Sequence, residues 1–282
     1  MDFGAMMFMT DYSISAVDLA RALEERGFES LWNPEHSHIP LSRKTPFPGG
    51  GDVPKMYYDA MDPFVTLTAA AAATKKLKLG TGVCLVIQRD TIQTAKLVAS
   101  IDQVSGGRFL FGIGGGWNTE EIENHGTAFA TRMQKMREQI EAMKAIWTEN
   151  KPEYHGEIVD FPPMMTWPKP VQKPHPPVIL GGAFPQAARR AIRYGNGWVP
   201  IAGRGAKLED FLPAFKEMLT EAGRSLAEVP ITMFGVPQEE DTLKRYRDLG
   251  VARVVAGLPP EPAEKTLPAL DRWAEIMRKV QR

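Results

Sequence analysis

The residues able to do chemistry fall in a few short stretches of a 282-residue chain. Glu35-His36-Ser37-His38 places a carboxylate and imidazoles side by side. Leu79-Gly80-Thr81-Gly82-Val83-Cys84 sets glycines inside a strand-like run, and Gly114-Gly115-Gly116-Trp117 and Gly181-Gly182-Ala183 end apolar runs in bare backbone. A histidine at a strand end is suited to move a proton or to contact a cofactor. His36-x-His38 also has the spacing of a metal-ligand pair, but a metal needs more ligands. His125, His155 and His175 lie away from predicted strand ends, so no metal is expected. Glycines that close a buried strand leave N–H groups open, and a helix beginning just after adds its dipole. The two glycine runs therefore read as a cradle for a phosphate; the plainer alternative is that they only permit tight turns. Cys84 sits within a predicted strand and reads as a small packed residue. Gly112-Ile113-Gly114-Gly115-Gly116 lacks the second half of a dinucleotide fingerprint, and neither a Walker nor a Gly-x-Ser-x-Gly spacing occurs.

These residues need elements to hold them, and the pattern alternates. Strands are expected at 3–9, 28–32, 78–87, 108–113, 178–180, 198–200, 229–234 and 251–257. The first helix shows its face in Ala16, Leu19, Ala20 and Leu23 and is closed by Gly27; Ser13 and Ser15 offer caps. Further helices are expected at 62–74, 91–105, 131–148, 185–194, 207–222, 239–249 and 265–280, the second opened by Asp62-Pro63 and the third stopped by Gly106-Gly107. Met133, Met136, Ile140, Met143 and Trp147 make a core-facing stripe. Strict alternation over eight units argues for a closed (β/α)8 barrel, one domain over 1–282, with insertion loops at about 39–60 and 150–176. A doubly wound open sheet would need two domains at this length. Barrel active sites lie at the C-terminal ends of the strands. That rule gathers Asn33–His38, Gly80–Cys84, Gly114–Trp117, Gly181–Ala183 and the segment after Val199.

The totals narrow the partners. The 34 basic and 34 acidic residues cancel, which argues against nucleic acid or an anionic membrane as the main partner. No run approaches a membrane span, and the start Met1-Asp2-Phe3-Gly4 has no leader pattern. With Cys84 the only cysteine there is no disulfide framework, and a cytoplasmic location is expected.

Taken together, Trp32-Asn-Pro-Glu-His36, Leu79-Gly-Thr-Gly-Val-Cys84, the run from Asp102 to Trp117 and Pro177-Val-Ile-Leu-Gly-Gly182 resemble the bacterial-luciferase-like flavin and deazaflavin oxidoreductases, above all the F420-dependent branch. The similarity covers residues 1 to about 200 in order; the remainder fits the fold with little motif. The resemblance implies a luciferase-like TIM barrel and an enzyme that uses F420, with FMN as the alternative. Its chemistry would be hydride transfer to or from a small organic substrate, or oxygen activation as an FMN-dependent monooxygenase. A flavin-binding protein without turnover is the alternative of another class. The resemblance also implies that His36 is the active-site histidine, with Glu35 as its catalytic neighbour. Gly82-Val83 would be a non-proline cis peptide under the ring. Gly115, Gly116, Gly181, Gly182 and Ala183 would be the phosphate cradle, with Trp117 as a wall. F420 carries an acidic tail beyond its phosphate, for which Arg43, Lys44 and Arg89 are candidate partners. Loops 39–60 and 150–176 would cover the ring and shape an apolar substrate pocket, and a homodimer is expected.

Overall fold

A computed structural model describes residues 1–200 and 207–281. In chain order it holds β1 (Asp2–Met6), α1 (Ala16–Glu25), β2 (Ser30–Asn33), α2 (Pro63–Ala73), β3 (Lys78–Thr81), α3 (Thr91–Ser105), β4 (Phe109–Ile113), α4 (Thr119–Asn124) and α5 (Arg132–Thr148). A small hairpin follows, β5 (Tyr154–His155) and β6 (Asp160–Phe161), and then β7 (Val178–Gly182), α6 (Gln186–Tyr194), β8 (Gly197–Pro200) and α7 (Leu208–Glu221). The chain ends with β9 (Thr232–Phe234), α8 (Glu240–Leu249), β10 (Arg253–Gly257) and α9 (Ala263–Gln281). Eight parallel strands stand in the order β8-β7-β4-β3-β2-β1-β10-β9, and a bridge between Trp198 and Ile231 joins the two ends of the sheet. This is the expected barrel. No helix among the described residues is long and apolar enough to cross a membrane.

Local chemistry starts and stops the helices as expected. Asp62 Oδ1 accepts the N–H groups of Phe64 and Val65 while Pro63 takes the first helical position, and Gly106 at φ 65° ends α3. Outward strand residues such as Phe109, Phe111 and Ile113 are buried under the helices. The barrel interior is built around Trp32, fully buried with Leu110, Ile179, Val199 and Val255. Its indole fills the space that a Cβ on Gly80 would need, while a Cβ on Gly4 would meet Ser30 Oγ at 2.5 Å and one on Gly112 the Thr81 carbonyl oxygen, so these inward strand positions carry no side chain. Trp32 Nε1 donates to Ser30 Oγ at 2.8 Å. Below it, the Arg253 guanidinium lies 5.5 Å from the ring and donates to both oxygens of Glu29, at 2.7 and 2.6 Å. Burial alone would raise the Glu29 carboxyl, but the hydrogen bonds and charge of Arg253 outweigh it and bring it down to about 2.

The structure corrects several expectations. The strand expected at 78–87 ends at Thr81, where the chain turns through a cis Gly82–Val83 peptide into a short 3-10 turn at Val86–Gln88. Glu35 takes the Leu85 N–H there, and Cys84 keeps a sheet contact, a parallel bridge to Ile113 through its N–H to Gly112 O at 2.8 Å. β1 stops at Met6 and β9 begins only at Thr232. The insertion 150–176 starts and ends away from the mouth: it follows α5 and precedes β7, so it leaves and re-enters at the N-terminal end of the barrel. Its hairpin runs back along α5, where Val159, Asp160 and Phe161 line a hollow with Lys135 and residues 89–92, beside the Glu35–Arg89 pair. Lys169 Nζ donates to Ile146 O and Glu149 O at the end of α5, and Gln172 bonds Asp102 and Phe109 O at the base of β4. Of the segment after Val199, residues 201–206 lie outside the described residues.

Candidate functional site

At the end of β2, Asn33 Nδ2 donates to Met7 O at 3.1 Å and Asn33 Oδ1 accepts from Thr66 Oγ1 at 3.0 Å, which ties this strand end to the β1 segment and to α2. His36 follows in the loop. Its Nδ1 lies 2.8 Å from Glu121 Oε2, with the two side chains 7% and 1% exposed. The other Glu121 oxygen accepts the Ser37 N–H at 3.2 Å. An ionised carboxylate only accepts, so Nδ1 carries the ring proton. Nε2 makes no hydrogen bond among the described residues, which leaves it free to face a ligand. Glu121 escaped the sequence reading because Asn118-x-x-Glu121 looks like an ordinary helix start. Asn118 instead has both amide atoms buried without a partner among the described residues. Ser37 Oγ lies between His38 Nδ1 (2.9 Å) and His125 Nε2 (2.7 Å), and Asn124 Nδ2 donates to His38 Nε2 at 3.0 Å. Burial, then the neighbouring His38, pushes His125 below the usual histidine range. A cavity of about 410 Å³ opens here against His36, Ser37, His125, Glu35 and Arg89. Among the described residues no group of three or more His, Cys, Asp or Glu side chains is placed to hold a metal ion.

Glu35 is bound up in structure. It is 7% exposed, accepts the Leu85 N–H at 2.7 Å and Arg89 Nε at 2.6 Å, and Arg89 also pairs with Asp62. Both carboxylate oxygens are therefore engaged away from His36, and Glu35 anchors the turn after the cis peptide. The same ion pair occupies Arg89, one of the candidate tail partners. Of the other two, Arg43 lies 5.9 Å from the Trp117 ring and the Lys44 N–H is bonded to Glu120 at 2.8 Å.

Loop 39–60, a strand-to-helix connection, does lie at the mouth. Tyr57 packs on Phe8 (4.7 Å between ring centres), His36 (5.1 Å) and Phe47 (5.2 Å), and Trp117 faces Phe47 (5.6 Å) and His36 (5.9 Å). Trp117 is thus a wall of an aromatic chamber around the histidine.

The glycine runs meet across Val83. A Cβ on Gly114 would stand 2.6 Å from Val83 Cγ2, and one on Gly181 would stand 3.1 Å from Val83 Cγ1. One small side chain therefore lies over both strand ends. Gly115 is crowded by Met133 of α5, Gly116 has φ +64°, and a Cβ on Gly182 would meet Ala187 at 2.8 Å. The N–H groups of Gly115, Gly116, Trp117 and Ala183 find no backbone acceptor among the described residues. Two arginines that the sequence reading missed stand beside them. Arg132 Nε donates to Gly115 O at 3.1 Å, and an Arg190 guanidinium nitrogen is 4.0 Å from the Cβ position of Gly182. Burial, then the charge of Arg190, lowers the Arg132 pKa. Arg190 Nε is buried without a partner among the described residues. Open N–H groups with adjacent unpaired cations make an anion site.

Comparison with known proteins identifies the fold and the family. An uncharacterized protein of Mycobacterium tuberculosis is 36% identical over 278 residues, covering 97% of this chain and 98% of the relative. The F420-dependent glucose-6-phosphate dehydrogenase of Amycolatopsis mediterranei is 27% identical over 223 residues, covering 77% of this chain and 62% of the relative. The crystal structure of the monooxygenase RslO1 from Streptomyces bottropensis superposes with a TM-score of 0.79 at 19% identity, covering 100% of both chains, and so shares the fold. The family model of luciferase-like monooxygenases matches residues 10–279, and the chain belongs to that family.

Proposed function

We propose that this protein is an F420-dependent oxidoreductase that moves a hydride between the deazaflavin and a small organic substrate. The observation that carries the reading is the pairing, at one barrel mouth, of a carboxylate-oriented histidine with a built anion site. The residues fit the cofactor: the open N–H groups beside Gly115, Gly116, Gly181, Gly182 and Ala183 would hold its phosphate, and Arg132 and Arg190 would balance the charge. Gly82 and Val83 would lie under the ring, with Trp117 at its flank. When bound, the deazaflavin supplies the carbon centre that gives or accepts the hydride. His36 Nε2 takes or returns the accompanying proton at the substrate. Glu121 fixes the tautomer and stabilises the imidazolium formed. Phe47, Tyr57 and Trp117 keep water from the histidine and favour an apolar substrate. Glu35, expected as catalytic, is assigned a positioning role because Arg89 and Leu85 occupy its oxygens. The name of the Amycolatopsis relative supports F420 over FMN.

The test is His36→Ala. Loss of reduction or oxidation with cofactor binding retained supports the enzyme reading. Unchanged turnover, or a wild-type protein that binds cofactor but exchanges no hydride with any alcohol or carbonyl offered, favours a binding protein.

A further inference from the structure

The anion site does not end at the glycines. α5 and α6 lie side by side below it, and the groove between them encloses about 310 Å³ lined by Met133 and Arg137 of α5 and by Arg189, Arg190, Arg193 and Tyr194 of α6. Met133 crowds Gly115 and Arg190 approaches Gly182, so the groove opens directly from the phosphate cradle. Among the described residues Arg189, Arg190 and Arg193 have no carboxylate partner, whereas Arg137 is held by Glu141 at 3.0 Å. Glu138 is turned inward to the N–H groups of Ile158 and Val159, and Glu221 lies in the adjoining hollow beyond Arg189 and Arg193. Tyr194 lines the groove at 7% exposure with its hydroxyl unpartnered among the described residues. A buried hydroxyl without a partner calls for an explanation, and a polar ligand in the groove supplies one. A single phosphate uses the charges at the cradle and leaves a row of cations along one helix face.

We infer that the α5–α6 groove binds the acidic tail of the cofactor, with Arg189 and Arg193 pairing its carboxylates and Tyr194 donating to it. This rests on the F420 reading, since FMN ends at its phosphate. Exposed ion pairs are individually weak, so a tail engaging several of them gains roughly tenfold in affinity. The experiment is a fluorescence titration with full-length F420 and with the same deazaflavin cut back to its phosphate, at low and high salt, on wild type and on Arg189→Gln/Arg193→Gln. Both arginines are exposed, and a melting curve checks that the variant folds. The expected result is roughly tenfold tighter binding of the tailed form. That gap closes in the variant and at high salt, while the truncated form binds both proteins alike. Equal binding of the two forms to wild type overturns the groove and leaves the cofactor reading standing, as does a gap that survives in the variant. Binding of FMN but of neither deazaflavin form overturns the cofactor reading and the groove together.

Discussion

Replacing Glu121 by glutamine keeps the shape of the side chain and removes one acceptor. Glu121, itself buried, receives two part-buried hydrogen bonds, from His36 Nδ1 at 2.8 Å and from the Ser37 N–H at 3.2 Å. The amide has one oxygen, so it cannot accept both. If the oxygen stays on His36, the Ser37 N–H is stranded, which costs about 1–3 kcal/mol. If it stays on Ser37, the amide NH2 donates to His36 Nδ1 and the ring proton moves to Nε2, the atom assigned to the substrate. Tautomer exchange within a neutral imidazole is the cheaper response, so Glu121→Gln is expected to melt only a few degrees lower, at roughly 2–4 °C per kcal/mol. The ring is expected to carry its proton on Nε2. Long-range proton–nitrogen NMR correlations on histidine-labelled protein, above the histidine titration range, read the tautomer with no substrate needed. Once a substrate is in hand, turnover is expected to fall by roughly 10²–10⁴-fold with cofactor affinity unchanged. The same tautomer in both proteins with equal stability would refute the proposed role of Glu121.

Three further outcomes follow from particular contacts. Gly114→Ala sets a Cβ 2.6 Å from Val83 Cγ2 and is expected to destabilise by about 1–3 kcal/mol in urea unfolding, with Val83→Ala in the same chain recovering most of it; additive losses would count against the contact. Arg89→Met leaves the buried Glu35 without its cation and is expected to cost about 3–5 kcal/mol, partly regained by Glu35→Gln, again read by denaturant titration. The Glu29 carboxyl ionises near 2 in the fold against a reference of 4.5. Because the folded value is depressed, its contribution of about 3 kcal/mol is present above pH ~4.5 and is lost as pH falls toward 2. Stability measured from pH 5 to 2 is expected to fall less steeply in Glu29→Gln, and parallel curves would contradict the pairing.

Much of the scaffold is legible in the chain because its signals are local. Asp62-Pro63 starts a helix and Gly106 stops one through bonds to near neighbours in sequence. The glycine runs are legible as strand ends, but not the reason they are glycine, since Val83, which excludes a side chain at Gly114 and crowds one at Gly181, comes from another strand end. Glu121 is of the same kind: its partner His36 is 85 residues away, and only the barrel brings α4 over the loop after β2. The insertion 150–176 follows a helix and precedes a strand, which fixes its two ends away from the site, whereas the return of its hairpin to residues 89–92 depends on packing along α5 that no local pattern encodes. The tail candidates Arg43, Lys44 and Arg89 follow from basic residues expected near the mouth, and in the fold Arg89 is taken up by Glu35 and Asp62. In the folded chain the arginines without carboxylate partners among the described residues lie elsewhere: Arg132 and Arg190 face the glycines, and Arg189 and Arg193 line the groove that the tail would take.

The central claim, that this barrel mouth holds a deazaflavin, is tested most directly by titrating the protein separately with F420 and with FMN and following cofactor absorbance and fluorescence. The account expects saturable binding of F420, one per chain, tighter than that of FMN and weakened by Arg190→Gln. Tight binding of FMN with none of F420 would contradict it.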